Sequence, residues 1–138
     1  MSLNLNSLES AIAALERMVR AHQVYGDSIP EDLQEAIRTA TIQDFEVAYE
    51  QAWKLAKRWI DANVSPAALS GGSRRELFRL AAQHGLIDDV DLWMRFHQAR
   101  NESSHSYDNE TAAEVRTSAE AFVREAQKLL AALKARND

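Results

Sequence analysis

The chain has 138 residues, of which 46% are hydrophobic, which is enough for a single compact domain with one core. Four glycines and two prolines leave too few turn-formers for a β-sandwich or a β-barrel, so we expect a mostly helical chain. The formal charge of -5 argues against a protein that coats nucleic acid through bulk charge, and it leaves site-specific chemistry on RNA open.

Two helical segments are predicted in the first half of the chain. Asn6-Ser7-Leu8-Glu9 has the form of a capping box and predicts the start of a helix that ends at Gly26-Asp27. Ser28-Ile29-Pro30-Glu31 predicts a second start, and helical composition then continues to about Asn63. Either one long helix or two helices would fit, and we favour a bend at Thr39-Ala40-Thr41 because β-branched residues weaken a helix there.

Apolar residues at helical spacing predict which faces of these two segments are buried. The inward residues of the first segment are Leu8, Ile12, Leu15 and Val19, and those of the second are Phe45, Tyr49, Ala52, Ala56 and Trp59. Trp53 lies off this aromatic stripe, which indicates a second contact surface.

The second half begins with a loop at residues 66–72 and predicts three further helices. Ser73-Arg74-Arg75-Glu76 is another capping box, and Gly85 closes the short helix that it opens. A helix with inward Val90 and Trp93 then runs to Ala99. The last helix starts between Asp108 and Thr111 and reaches about Ala135, with its inward face formed by Val115, Phe122, Ala126, Leu129 and Leu133.

These elements predict an all-α fold, an antiparallel up-and-down helical bundle of four main helices plus a short one, with residues 1–138 as a single domain. The chain contains no cysteine, and its first residues lack the basic and apolar blocks of a secretory signal. Its apolar stretches are far shorter than the ~20 residues of a membrane span. We therefore expect a cytoplasmic protein that does not cross a membrane.

The segment Arg100–Tyr107 concentrates the polar chemistry of the chain. On a continuous helix Arg100 and Tyr107 would share one face and Asn101 and His105 an adjoining one, so that all four would line one groove. The same residues are equally consistent with a helix end whose side chains cap carbonyls and complement the helix dipole.

The sequence favours neither a metal site nor a broad basic surface. His97 and His105 are eight residues apart and lack a supporting set of ligands, so no metal and no cofactor are expected. Arg74, Arg75 and Arg79 form a small basic patch that is typical of a solvated helix face.

Three blocks of this sequence resemble the nucleotidyltransferase substrate-binding proteins, a family of the HEPN superfamily that includes the HepT-type toxins. The block Ile42-Gln43-Asp44-Phe45-Glu46, followed by Tyr49-Glu50 and Trp53-Lys54, is similar to the family's long second helix. Gly85-Leu86-Ile87-Asp88-Asp89 with Trp93 is similar to its middle turn. Arg100-Asn101, Ser104-His105 and Tyr107 are similar to its Arg-x4-His-x-Tyr signature.

The resemblance implies a homodimer whose two Arg-to-His segments face one cleft that takes RNA or a nucleotide. It also implies a metal-independent endoribonuclease toxin, neutralised by a partner nucleotidyltransferase of the MNT type that adds AMP to the motif tyrosine, Tyr107. Arg100 would hold the phosphate, His105 would move the proton, and Asn101 and Ser104 would support them.

Two other functions stay open at this stage. One is a non-catalytic subunit that binds nucleotide or substrate for a nucleotidyltransferase, which the carboxylate of Glu102 within the motif favours. The other is a helical dimer whose polar cluster only caps a helix and closes an interface.

Overall fold

A computed structural model describes residues 2–69, 72–105 and 108–137, and it is helical throughout its regular structure. The helices of these ranges are α1 (Asn6–Tyr25), α2 (Glu31–Asn63), α3 (Arg74–Gln83), α4 (Val90–Glu102) and α5 (Asn109–Ala135). Short 3-10 turns at Pro66–Leu69 and Ser103–His105 follow α2 and α4.

The helices pack as the predicted bundle. The long helix α2 contacts α1 and α5, while α4 lies between α3 and α5. Asn137 ties the end of the bundle to its beginning, because its side chain accepts a hydrogen bond from the Leu3 amide and donates one to the Leu3 carbonyl, at 2.7 Å and 2.9 Å. None of the helices in the described ranges combines the length and apolar character that a bilayer crossing requires.

An aromatic cluster around Phe122 of α5 forms the centre of the core. The Phe122 ring meets those of Phe96 and Trp93 at centroid separations of 5.0 Å and 5.4 Å, both edge to face. Phe45 of α2 adds a third edge-to-face contact at 5.4 Å. The inward stripes predicted for the first, second and last helices are all buried, which confirms the helical spacing as the cause of this core.

The helix caps agree with the sequence in the second half of the chain and differ in the first. Ser73 caps α3 by accepting from the Glu76 amide at 3.2 Å, as predicted. The capping box predicted at Asn6 is wrong, because α1 already begins at Asn6 and its N-cap, Leu5, offers no side-chain acceptor. The Asn4 side chain instead accepts from the Asn6 amide at 3.0 Å.

The long helix α2 is continuous, so the bend favoured at Thr39-Ala40-Thr41 is wrong and the alternative of one helix is correct. Thr41 is buried, and its hydroxyl donates to the Ile37 carbonyl of the preceding turn at 2.7 Å. The hydroxyl is therefore satisfied inside the helix, and burial against the core outweighs the weak local propensity.

Candidate functional site

Arg100 lies in the last turn of α4 and pairs with two carboxylates of α2. Its Nη1 is 3.0 Å from Glu46 Oε2, and its Nε is 3.4 Å from Glu50 Oε1. Glu46 and Glu50 are one helical turn apart, so both point from the same face of α2 toward α4. The side chains of all three residues are about one third exposed, which leaves this ion-pair cluster accessible from solvent.

Ser103 completes the cluster from the turn that follows α4. This buried hydroxyl lies 2.6 Å from Glu46 Oε2 and 2.7 Å from the Arg100 carbonyl, and Arg100 Nη1 donates to it at 3.3 Å. A hydroxyl has one proton, so it donates to one of the two acceptors at a time. Sequence reasoning selected the neighbouring Ser104, which is exposed and donates to the Asn101 carbonyl at 3.2 Å.

The four motif residues would share one groove only on a continuous helix, and the segment that follows Arg100 does not form one. The α-helix ends at Glu102 and the chain tightens into a 3-10 turn over Ser103–His105. His105 and Asn101 are both exposed at this end of α4, while Tyr107 lies outside the described residues. Glu102 accepts a hydrogen bond from Gln98 of the same helix at 3.1 Å.

A second polar cluster joins α2, α3 and α4 and was missed from the sequence. The Tyr49 ring is fully buried, and its hydroxyl is 2.9 Å from both Arg74 Nη1 and His97 Nδ1. Arg74 donates to the phenol oxygen, and its Nη1 also lies 3.4 Å from His97 Nδ1. The other ring nitrogen of His97, Nε2, lies 3.5 Å from the side-chain nitrogen of Asn101.

Burial sets the charge state of this second cluster. It raises the pKa of Tyr49 to about 12, against the opposing effect of Arg74. It also lowers the pKa of His97, and the adjacent Arg74 cation lowers it further. Tyr49 and His97 are therefore both neutral near neutral pH, and Arg74 carries the charge of the cluster.

Sequence reasoning assigned a different role to each member of this second cluster. The sequence predicts Tyr49 in the core and Arg74 in a solvated basic patch, and it considers His97 only as a metal ligand, which the lack of supporting ligands disfavours. Arg74 and His97 lie 25 and 48 residues after Tyr49, so only the packing of α3 and α4 on α2 brings the three together. The one available signal was Trp53, predicted to have a second contact surface, whose ring centroid lies 3.7 Å from Arg74 Cζ.

Within the described ranges, no group of three or more histidine or acidic side chains is arranged to hold a metal ion. The groups that can bind a ligand here are the guanidinium of Arg100, the imidazoles of His97 and His105, and the guanidinium of Arg74. Beside Arg100, an open cavity of about 550 Å³ is bordered by Gln43, Val47 and Gln51 of α2. The arrangement therefore suits recognition of a phosphate and movement of a proton.

The fold and the site define an all-helical bundle protein with arginine and histidine side chains at the end of its fourth helix. The chain belongs to the family described as nucleotidyltransferase substrate binding protein like, whose model matches residues 3–135. This confirms the family resemblance that was seen in the three sequence blocks.

One relative and two solved structures are similar over most of this chain. A probable ribonuclease HepT from Haemophilus influenzae (strain ATCC 51907 / DSM 11121 / KW20 / Rd) is 32% identical, covering 98% of this chain and 94% of the relative. A Haemophilus influenzae structure described as revealing the fold of a substrate binding domain of a nucleotidyltransferase is 30% identical with a TM-score of 0.89, covering 95% of this chain and 99% of that one.

A crystal structure of a protein from Thermus thermophilus is also similar, with a TM-score of 0.71 and 24% identity. It covers 91% of this chain and 98% of that one. At this identity the likeness concerns the fold alone. The helical bundle predicted from the sequence is thus the fold of the family.

Proposed function

We propose that this chain is a metal-independent endoribonuclease of the HepT type, with Arg100 and His105 as its catalytic residues. The observation that carries the proposal is the 32% identity to a probable ribonuclease HepT over nearly the whole of both chains. It is supported by the position of Arg100 and His105, which lie at the two ends of one short segment that closes α4.

The proposed reaction uses the ribose as nucleophile and needs no metal. The 2'-hydroxyl attacks the adjacent phosphorus and gives up its proton to a base, while the 5'-oxygen leaves with a proton from an acid. The products are a 2',3'-cyclic phosphate and a free 5'-hydroxyl. His105 carries a proton in this scheme, and the guanidinium of Arg100 stabilises the charge that develops on the phosphate oxygens.

The carboxylates around Arg100 have a defined place in this scheme. Glu46 and Glu50 hold the guanidinium in position before RNA arrives, at 3.0 Å and 3.4 Å. A phosphate that binds Arg100 exchanges for one of these two carboxylates. Because the pairs are partly exposed, water screens the cost of that exchange.

A two-fold dimer would supply a second histidine, since each chain contributes one motif imidazole and the reaction needs both a base and an acid. We propose that two copies place their Arg100–His105 segments at one cleft. Light scattering on a size-exclusion column tests this, and a protein that remains a monomer at the concentrations where it cleaves RNA contradicts it.

Regulation is proposed to act through Tyr107 and a partner nucleotidyltransferase of the MNT type. Transfer of AMP from ATP to the phenol oxygen releases pyrophosphate, and it adds bulk and a negative phosphate next to the RNA site, which repels RNA. Incubation with the partner and ATP should increase the intact mass by one AMP group, and the Tyr107→Phe variant should show no increase.

Cleavage of total RNA in EDTA tests the catalytic proposal. We expect the wild type to produce 2',3'-cyclic phosphate ends, the His105→Ala variant to lose cleavage, and the matched His22→Ala variant to retain it. His22 is an exposed residue of α1 and serves as a control for the loss of any histidine. Equal cleavage by wild type and His105→Ala would contradict the assignment.

A second candidate function is a non-catalytic subunit that presents a nucleotide or substrate to a nucleotidyltransferase. The specific observation in its favour is that two carboxylates neutralise Arg100. Calorimetry with nucleotides and co-purification with a neighbouring nucleotidyltransferase test it. Nucleotide binding by a folded protein that leaves every RNA intact favours this function over cleavage.

A further inference from the structure

A separate cavity lies between α2, α3 and α4, and we call it the Trp53–Arg74 pocket. It measures about 370 Å³, within the usual range of small-ligand sites, and its polar lining includes Trp53, Lys57, Arg74 and His97. The N-terminus of α3 borders the pocket through its N-cap, Ser73, so the positive end of that helix dipole adds to the local potential.

Arg74 is held in this pocket entirely by uncharged groups. Its guanidinium stacks on the indole of Trp53, with Cζ 3.7 Å from the ring centroid, and Nη1 donates to the Tyr49 hydroxyl at 2.9 Å. Among the described residues no carboxylate pairs with it. The next two arginines of the same helix differ, since Arg75 pairs with Asp91 and Arg79 with Glu76, both within 3.3 Å.

An arginine fixed in this way is prepared for an anion. Its orientation is already set by the stack and the hydrogen bond, so little side-chain entropy remains to be lost on binding. Its charge is not compensated by a protein anion in ion-pair contact, so an incoming anion displaces no partner. Arg100 differs in its charge, which two carboxylates compensate, so a phosphate must first displace one of them.

The other charges around the pocket leave it positive. Tyr49 and His97 are neutral near neutral pH, as described above. Lys57 adds a second cation and shares its charge with Asp61 at 2.8 Å. The nearest acid on the Trp53 side, Glu50, is already bound by the Trp53 indole N–H at 3.0 Å and by Arg100.

We propose that the Trp53–Arg74 pocket binds a phosphate group of a nucleotide, with Arg74 as the main ligand and Lys57 as a second cation. The phosphate belongs either to a free mononucleotide or to an RNA strand that continues from Arg100. His97 precedes Arg100 by one turn of α4, so the pocket and the cleavage segment are neighbours. The proposal rests on the proposed function only for its choice of a nucleotide as the phosphate carrier.

Binding is measured with protein that carries His105→Ala, so that RNA cleavage does not interfere. The probes are AMP, in calorimetry, and a 2'-O-methyl RNA oligonucleotide, in fluorescence anisotropy. Tight binding of AMP with weak binding of RNA identifies a mononucleotide site, and the opposite result identifies a strand site. Failure of the His105→Ala protein to bind either probe at about 5 mM overturns the proposal.

The matched variants are Arg74→Gln and Arg75→Gln, which remove adjacent charges from α3. We expect Arg74→Gln to weaken the observed binding about tenfold or more and Arg75→Gln to change it by less than about twofold, because one charge-assisted contact is worth at least that much. Equal weakening by both variants would mean that only the net charge matters, which also overturns the proposal.

Two further measurements distinguish the loss of a phosphate ligand from misfolding of the Arg74→Gln variant. Arg74→Lys keeps the charge without the fork, and we expect binding between those of the wild type and the glutamine variant. In NMR spectra of the His105→Ala protein, AMP or the oligonucleotide should shift the Trp53 indole N–H and the His97 ring signals more than those of Trp93. Binding that leaves both signals unchanged places the phosphate elsewhere and refutes the pocket.

The two proposals fail independently. A protein that cleaves no RNA and still binds AMP through Arg74 retains the pocket and loses the ribonuclease. A protein whose Arg74→Gln variant cleaves RNA equally well, and binds both AMP and the oligonucleotide unchanged, retains the ribonuclease and loses the pocket.

Discussion

The Tyr49 hydroxyl lies 2.9 Å from both Arg74 and His97, so Tyr49→Phe is the most direct perturbation of the second cluster. The substitution keeps the buried ring and its contacts with Phe45 and Phe122, at centroid separations of 6.2 Å and 6.1 Å. It removes two hydrogen bonds of 2.9 Å, one of them donated by a charged guanidinium.

The expected cost follows from those two bonds. A hydrogen bond to a charged group contributes about 1.5–3 kcal/mol and a neutral one about 0.5–1.5 kcal/mol. Arg74 and His97 are both half-buried, so water replaces part of what each loses. We therefore expect Tyr49→Phe to lower the free energy of unfolding by about 2 kcal/mol, toward the low end of the combined range.

Urea denaturation followed by far-UV circular dichroism measures this change. The control is Tyr25→Phe, whose side chain is half exposed and whose loss of a hydroxyl should alter stability by less than about 0.5 kcal/mol. If Tyr49→Phe lowers the free energy of unfolding by no more than the control does, the hydroxyl does not hold the cluster together.

Three further outcomes are expected. Ser103→Ala should cost about 2 kcal/mol in urea denaturation, because it removes a hydroxyl that bonds the charged Glu46, whereas Ser104→Ala should cost under about 0.5 kcal/mol. Phe122→Ala should cost about 4 kcal/mol by the same measurement, and a value under about 2 kcal/mol would mean that the aromatic cluster is not the centre of the core. Because the pKa of His97 is lowered in the folded state, the unfolded chain binds a proton first as the pH falls. Stability should therefore decrease as the pH drops through about 6.5, less so in His97→Gln, and an equal decrease in both proteins would refute this.

Local patterns in the sequence predicted most of the fold for identifiable reasons. The inward stripe from Phe45 to Trp59 and the last helix from Asn109 to Ala135 follow from helical spacing, which acts within one segment. The cap at Ser73 was equally clear, because an N-cap involves residues only three positions apart. The capping box predicted at Asn6 was wrong because the Asn4 side chain accepts from the Asn6 amide instead. The bend predicted at Thr39-Ala40-Thr41 was wrong because Thr41 is buried and its hydroxyl bonds within the helix.

Only part of the candidate site could be predicted from the sequence. The family signature singled out Arg100 and His105, and the residues that hold Arg100 were not part of it. Glu46 lies 54 residues before Arg100, and it resembled ordinary surface charge until the packing of α4 on α2 set the register between the helices. Ser104 was predicted as a supporting residue because it belongs to the block that resembles the family signature, whereas the contacts of Ser103 depend on the turn that follows α4.

The sequence by itself determined the all-helical bundle, the buried faces of its helices and the family. It also predicted the segment from Arg100 to His105 as the candidate site. Each of these depends on residues that are close along the chain or on a motif of fixed spacing. The tertiary structure alone decided that Glu46 and Glu50 neutralise Arg100, and that Tyr49, Arg74 and His97 meet at a pocket. Helical periodicity specifies which face of a helix turns inward. Which polar residues meet across two helices depends on how the helices are aligned, and the packing of the whole core sets that alignment.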